Sequence, residues 1–161
     1  MKKTFYGLLI VCILAIASCK PDSIKDFTTN SAYNIANLQG VWKLSKAVQT
    51  DEDAKRKNFP NKTNDITNLF NLTDITVTLA ASGALTVDYG AAPALFNTTT
   101  GNWKLDNPAK PGNLWFINGT DTTKFVLGSY DNLRNKKLVL KQTKYYGTVP
   151  MVGYDYEFSK N

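Results

Sequence analysis

The feature of this sequence that most constrains its fold is an alternation of apolar and polar residues with a period of two. The segment from Ile75 to Leu79 alternates aliphatic residues with threonine, and the segment from Leu85 to Tyr89 repeats the pattern. This period places one face of a strand in the core and the other in solvent. Because Ala80-Ala81-Ser82-Gly83 can turn the chain between the two segments, they are predicted to form a β-hairpin.

Similar strand patterns recur from Leu38 to Phe158 with short connections between them. About eight such strands predict an all-β fold, specifically an antiparallel up-and-down barrel. The interior of an eight-stranded barrel is just wide enough to be filled by side chains or to hold one small ligand. The side chains predicted to face inward are Trp42, Leu44, Ile75, Val77, Leu79, Leu85, Val87, Tyr89, Trp103, Leu105, Phe116, Phe125, Leu127, Leu138, Leu140, Tyr154, Tyr156 and Phe158.

One long connection, from Gln49 to Asn71, interrupts this rhythm. Its charged first half, Asp51 to Lys57, is interpreted as a solvated loop. In its second half Asn64 or Asp65 could cap a short helix with three apolar residues on one face. We expect this loop or helix to form a lid on the barrel, and the lid candidates are Ile66, Leu69 and Phe70.

The N-terminal segment has the pattern of an export signal. Met1-Lys2-Lys3 precedes an uncharged run from Phe5 to Ala17, which is too short to cross a bilayer as a helix. The run ends in Ile16-Ala17-Ser18-Cys19, which resembles the lipobox of bacterial lipoproteins. The resemblance implies removal of residues 1–18 and attachment of diacylglycerol to Cys19. The alternative is an ordinary signal peptide with a chance cysteine at the cut.

On this interpretation residues 19–36 form a lipidated tether and residues 37–161 form the barrel domain. Lys20 stands where many lipoproteins of the inner membrane carry aspartate, so an outer-membrane location is expected. Whether the domain faces the periplasm or the cell exterior is left open, and a monomer is expected.

Composition excludes several functional classes. Without Lys2 and Lys3 the net charge is 19 − 2 − 13 = +4, spread along the chain, so nucleic acid is not an expected partner. There is no histidine, and the two cysteines are Cys12, in the signal, and Cys19. Zinc sites with Cys or His ligands, Ser-His-Asp triads and Cys-His nucleophiles are therefore excluded. We expect no enzymatic activity, no metal and no cofactor.

Two acidic groups were candidates for chemistry. Asp155 and Glu157 lie on one face of one strand, whereas glycosidase carboxylates flank their substrate, so a role in solubility is favoured. The run Asp51-Glu52-Asp53 lacks the glycine and the spacing of a known calcium loop.

A Gly-x-Trp motif opens the first strand as Gly40-Val41-Trp42 and recurs as Gly101-Asn102-Trp103. It resembles the Gly-x-Trp of lipocalins, and the chain looks like the lipocalin-like domains of unknown function in Bacteroidetes lipoproteins. The resemblance implies that Gly40 and Trp42 form the barrel floor and that the long first loop crosses the open mouth. In lipocalins a late basic residue packs over this tryptophan. Here Arg134 and Lys160 are the late candidates, and neither stands in an obvious position for that role.

Two functions remain open after these exclusions. The first is a non-enzymatic, membrane-anchored barrel that binds a small apolar or amphipathic ligand inside. The second is a surface-facing interaction module that binds a glycan or a protein through exposed aromatic residues. Tyrosine is often placed where one end of the side chain is wet, as at a pocket wall. The pocket candidates are Tyr89, Trp103, Phe116, Tyr154 and Tyr156.

Overall fold

The computed structural model describes residues 31–161, so the predicted signal peptide, Cys19 and the tether up to residue 30 lie outside the described residues. The described part of the chain contains three short α-helices, one 3-10 helix and nine strands. The helices are α1 (Ser31–Leu38), α2 (Glu52–Arg56) and α3 (Tyr130–Arg134), and the 3-10 helix spans Leu72–Asp74. The strands are β1 (Gly40–Asp51), β2 (Thr63–Asp65), β3 (Thr76–Leu79), β4 (Ala84–Asp88), β5 (Thr100–Leu105), β6 (Asn113–Asn118), β7 (Asp121–Leu127), β8 (Lys137–Tyr146) and β9 (Val149–Lys160).

The strands form one antiparallel sheet in the order β2-β1-β3-β4-β5-β6-β7-β8-β9, and pairing of β1 with β9 closes it. The result is an eight-stranded up-and-down barrel with β2 as an extra strand beside β1. The predicted fold class is confirmed. No helix within residues 31–161 is long and apolar enough to cross a membrane.

The pairing of β1 with β9 defines the two ends of the barrel. At one end Trp42 pairs with Lys160, and at the other Asp51 pairs with Val152. We call the first end the floor and the second the mouth. The chain enters the barrel at the floor through α1, and the β8–β9 hairpin turns at the mouth.

The inward-facing residues predicted from the sequence all lie in the core or against it. Most are buried, whereas Trp103, Leu127 and Tyr154 are partly buried and pack on the buried cluster. The core also contains side chains that the alternation did not single out: Leu38, Ala47, Leu72, Phe96, Leu114 and Leu133.

The floor of the barrel contains the side chain of Trp42. Its ring is fully buried, and its indole Nε1–H donates a hydrogen bond to Leu38 O at 2.7 Å. The ammonium group of Lys160 lies 5.1 Å from the centroid of the same ring and donates to Asn37 O at 3.0 Å. The expectation that no late basic residue is well placed was therefore wrong, because β9 continues far enough to bring Lys160 opposite Trp42.

A β-bulge in β1 decides which residues face the mouth. The register shifts between Leu44 and Lys46, so Ser45 is the additional residue on β1. Trp42 and Leu44 face inward below the bulge, and the buried Ala47 faces inward above it. Since side chains alternate along a strand, Gln49 and Asp51 share the inward face of Ala47.

Residues 31–38 form α1, which spans the predicted domain boundary at residue 37. Two local predictions need correction. The charged segment predicted as a loop contains α2, capped by the Asp51 carboxylate, which accepts hydrogen bonds from the Asp53 and Ala54 amides. The helix predicted after Asn64 is absent from that stretch, since residues 63–65 pair with β1 instead.

Candidate functional site at the barrel mouth

The barrel interior is occupied by an aromatic side chain from the β4–β5 connection. Phe96, almost fully buried, lies with its ring centroid 5.3 Å from Phe125, 5.3 Å from Tyr156 and 6.0 Å from Phe116, all edge-to-face. Tyr89 lies 6.2 Å away. Three pocket candidates, Tyr89, Phe116 and Tyr156, are thus brought together, but around a side chain of the protein itself.

Polar contacts hold the Phe96 segment in this position. The Tyr89 hydroxyl donates to Thr98 O at 2.8 Å and accepts from the Phe96 amide at 3.2 Å. Thr123 Oγ1 donates to Phe96 O at 3.2 Å. Burial raises the pKa of the Tyr89 phenol and, more strongly, that of Tyr156, so both stay neutral at physiological pH.

Trp103 is not part of this group. Its indole Nε1–H donates to Ala80 O at 2.9 Å, in the β3–β4 turn at the floor end of the barrel. Trp115 lies partly exposed, with the ammonium group of Lys124 5.4 Å from its ring centroid. Neither tryptophan lies at the mouth.

The mouth carries a polar cleft of about 450 Å³ between the end of β1, the segment before and within β2, and β9. Its lining residues are Gln49, Asp51, Asn61, Lys62, Thr63, Asn64 and Val152. Gln49 pairs with Asn64 on β2 and with Tyr154 on β9, so the three side chains share a face. The sequence prediction missed this cleft, because the bulge at Ser45 reverses which residues of β1 face inward.

Tyr154 connects the cleft to the interior. Its hydroxyl accepts a hydrogen bond from Gln49 Nε2 at 3.4 Å, and its ring stacks on Tyr156 with centroids 5.9 Å apart and planes 2° apart. Tyr154 thus adjoins this cleft through Gln49, whereas Tyr156 packs against Phe96.

A second cleft of about 290 Å³ lies at the mouth beside the β6–β7 turn. Six of its lining residues are polar, and two are aromatic residues of the interior cluster. They are Phe96, Asn97, Thr98, Phe116, Asn118, Asp121, Thr122 and Thr123. Both clefts therefore present amides, hydroxyls and a carboxylate above a filled apolar interior.

The lid candidates are placed differently from one another. Ile66 packs against the core, and its amide donates to Ala47 O at 2.9 Å. Leu69 and Phe70 are exposed, and the residue Phe70 is 70% exposed. Of the three, Ile66 alone contributes to covering the interior.

Asp155 and Glu157 form ion pairs with lysines on β8. The distances are 2.8 Å from Asp155 to Lys141 and 2.8 Å from Glu157 to Lys137. Both carboxylates are at least about one-third exposed, which is the arrangement of a solvated outer face.

One family of proteins matches the chain. It is described as a domain of unknown function (DUF5004), and it matches residues 20–148. No curated protein matches the sequence.

Proposed function

Because the chain belongs to the DUF5004 family, for which no function is described, we propose its function from its own geometry. We infer a non-enzymatic, lipocalin-like lipoprotein, anchored in the outer membrane through lipid on Cys19. Its barrel mouth binds a hydroxyl-rich ligand, a glycan in the first place.

The observation that carries this proposal is the contrast between the interior and the mouth. The interior is filled by Phe96 and its aromatic neighbours. The mouth cleft, in contrast, offers three side-chain amides, a threonine hydroxyl, a carboxylate and an ammonium group within about 450 Å³. Amides and carboxylates satisfy the donors and acceptors of sugar hydroxyls, and Tyr154 adds an aromatic ring beside them.

The proposed anchor is supported by the lipobox-like sequence ending at Cys19. The family match begins at residue 20, directly after this cysteine. Since the chain enters the barrel at the floor, the mouth cleft lies at the opposite end of the barrel from the entry of the tether. The contact of Lys160 with Trp42 supports the lipocalin-like part of the proposal.

A small apolar or amphipathic ligand is the second candidate. Phe96 belongs to a loop, and the polar groups of Tyr89 and Thr123 hold the loop by only a few hydrogen bonds. An apolar ligand could replace the Phe96 ring among Phe116, Phe125 and Tyr156 if this loop swung out. This candidate requires a conformational change, whereas the mouth cleft is already formed.

The test uses the full-length chain, produced in an exporting bacterium and purified in mild detergent. Glycan-array binding followed by isothermal titration calorimetry should identify a saccharide ligand. Gln49→Ala and Asn64→Ala each remove a cleft amide and should weaken binding about tenfold, about 1.4 kcal/mol. Asn102→Ala removes an exposed amide of β5 and serves as the matched control.

Two outcomes would contradict this proposal. One is saccharide binding that neither cleft variant changes. The other is absence of saccharide binding together with a lipid carried through purification, which native mass spectrometry would detect and which would support the second candidate. The mass of the mature protein tests the anchor separately, since acylated Cys19 must be its first residue.

A further inference from the structure

At the mouth, the last residues of the β8–β9 hairpin pair only with each other. The pairing of β7 with β8 covers only Val126 with Lys141 and Leu127 with Leu140. The last pair between β1 and β9 is Asp51 with Val152. Beyond these positions the hairpin continues to the pair Tyr146–Val149 at its turn. We call residues 144–151 the hairpin tip.

The hairpin tip exposes large apolar side chains. Tyr146 is 81% exposed, Tyr145 61%, Val149 45% and Met151 42%. Neighbouring residues of a strand point to opposite faces of the hairpin, so Tyr145 and Tyr146 lie on different faces. Their partners are Pro150 and Val149, so each face of the tip carries one tyrosine and one further apolar residue. Both faces of the tip are therefore apolar.

This two-sided exposure indicates the kind of partner. A flat protein surface docked on the hairpin would cover one face and leave the other in water. The interfacial region of a bilayer surrounds an inserted tip on all sides, and tyrosine is enriched at that depth. Lys144, at the base of the tip, is exposed, whereas Arg56, which donates to Pro150 O at 2.6 Å, is paired with Asp53 at 2.9 Å. The charge of +4 without Lys2 and Lys3, from 19 − 2 − 13, favours an anionic surface.

The geometry of the chain permits this contact beside the anchor. Ser31 begins α1 and lies 31 − 19 = 12 positions after Cys19. Such a segment reaches at most ~40 Å. The 12 residues of β9, from mouth to floor, also span about 40 Å. A barrel that lies obliquely can therefore touch the membrane of its own anchor with the hairpin tip.

We propose that the hairpin tip inserts into the interfacial region of an anionic bilayer and forms a second membrane contact of this protein. The proposal rests on the membrane anchorage given under Proposed function. The tip and the lipid on Cys19 together fix the orientation of the mouth relative to the bilayer.

The experiment measures the depth of a label on the hairpin tip. Thr148→Cys, in the tip, and Thr120→Cys, in the β6–β7 turn at the same end of the barrel, each introduce a labelling site. Each full-length variant is produced with its anchor, labelled with an environment-sensitive dye and reconstituted into vesicles of phosphatidylcholine with phosphatidylglycerol. The label at position 148 should shift to shorter wavelength and be quenched by brominated lipids, and the label at position 120 should not.

Replacing Tyr145, Tyr146 and Val149 by serine in the Thr148→Cys chain should remove the shift and the quenching. Equal quenching at positions 120 and 148 would overturn the proposal, and so would a shift at position 148 that arises in detergent from contact between two copies. Flotation with the vesicles tests the anchor independently. A chain that floats without quenching contradicts only the hairpin contact, whereas a chain that fails to float contradicts the proposed function.

Discussion

The ammonium group of Lys160 lies over the ring of Trp42, 5.1 Å from its centroid. This contact joins the last residue of β9 to the first strand. Lys160 also donates to Asn37 O, and Trp42 donates to Leu38 O, so α1 is held by the same two side chains. The floor of the barrel is thus closed by α1 and β1, which are adjacent in sequence, together with the distant end of β9.

Removing the charge at this position should destabilise the floor. In Lys160→Met the hydrogen bond to Asn37 and the cation–π contact are lost, while the aliphatic part of the side chain is kept. We expect a loss of about 1–2 kcal/mol in the free energy of unfolding, measured by urea denaturation. Lys137→Met, which breaks the exposed ion pair with Glu157, should cost less than about 1 kcal/mol. Equal losses for the two variants would show that the floor contact is no stronger than a surface ion pair.

Removing the Phe96 side chain from the interior should be costly. Phe96→Ala leaves a cavity among Phe116, Phe125 and Tyr156, and the expected loss is about 3–5 kcal/mol. The variant should also bind small apolar molecules, which calorimetric titration with a short-chain fatty acid would detect. Phe59→Ala, at a position that is 53% exposed, is the control and should change stability little. Wild-type stability in the Phe96 variant would mean that Phe96 does not fill the interior.

Gly101 is a glycine because the neighbouring strand leaves no room for a side chain. A Cβ atom at this position would lie 2.2 Å from the carbonyl oxygen of Ile117 on β6. Gly101→Ala should therefore force β5 and β6 apart and cost about 3 kcal/mol or more. Gly119→Ala meets open space but requires a positive φ of 60°, which costs about 1–2 kcal/mol. Thermal unfolding of both variants compares the stability lost to a steric clash with the stability lost to an unfavourable φ. A smaller loss of stability for Gly101→Ala than for Gly119→Ala would contradict the close packing of β5 against β6.

Asp106 organises the β5–β6 connection and should give it an acid sensitivity. Hydrogen bonds to its carboxylate, from the Asn113 amide first and from Gly112 and Asn107 as well, lower the pKa of Asp106 from 3.8 to about 2. A carboxyl group whose pKa is lowered on folding stabilises the protein fully above its unfolded pKa. Here that contribution is lost as the pH falls from about 4 through about 2.

The variant Asp106→Asn should therefore be less stable at neutral pH and lose less stability between pH 4 and pH 2 than the wild type. Asp131→Asn, which removes an 80% exposed carboxylate of α3, controls for loss of a surface charge. Acid titration followed by circular dichroism gives the measurement. Parallel acid curves for the wild type and Asp106→Asn would contradict the assignment.

The barrel could be predicted because alternation along strands such as β3 and β4 depends only on which residues are apolar. The inward faces of these strands followed directly from the alternation. The mouth could not be predicted, because a single extra residue at Ser45 exchanges the two faces of β1 and carries no signature in the sequence. Alternation continued from Trp42 and Leu44 without a bulge assigns Gln49 to the outer face of β1.

Phe96 and Lys160 were missed for a different reason. The position of each side chain depends on tertiary structure that the alternation does not report. Phe96 lies in a connection that bends back into the barrel, and Lys160 ends a strand that is longer than the alternation indicated. The exposure of Leu69 and Phe70 likewise reflects pairing of residues 63–65 with β1, which ends the helical pattern expected there.

Closure of the barrel by β1 and β9 also has a consequence for the order of folding. The paired residues Trp42 and Lys160 are separated by 160 − 42 = 118 positions. In the hairpin of β3 and β4, the paired residues Leu79 and Leu85 are separated by 85 − 79 = 6 positions. Local hairpins lose little entropy on forming, but the closing pair must bring the two ends of a long chain together. Proteins dominated by such distant pairings fold in milliseconds to seconds. Until β9 has been synthesised and has paired with β1, Lys160 does not cover the Trp42 ring. A nascent or truncated chain therefore has an exposed apolar floor, which chaperones can bind and through which chains can aggregate.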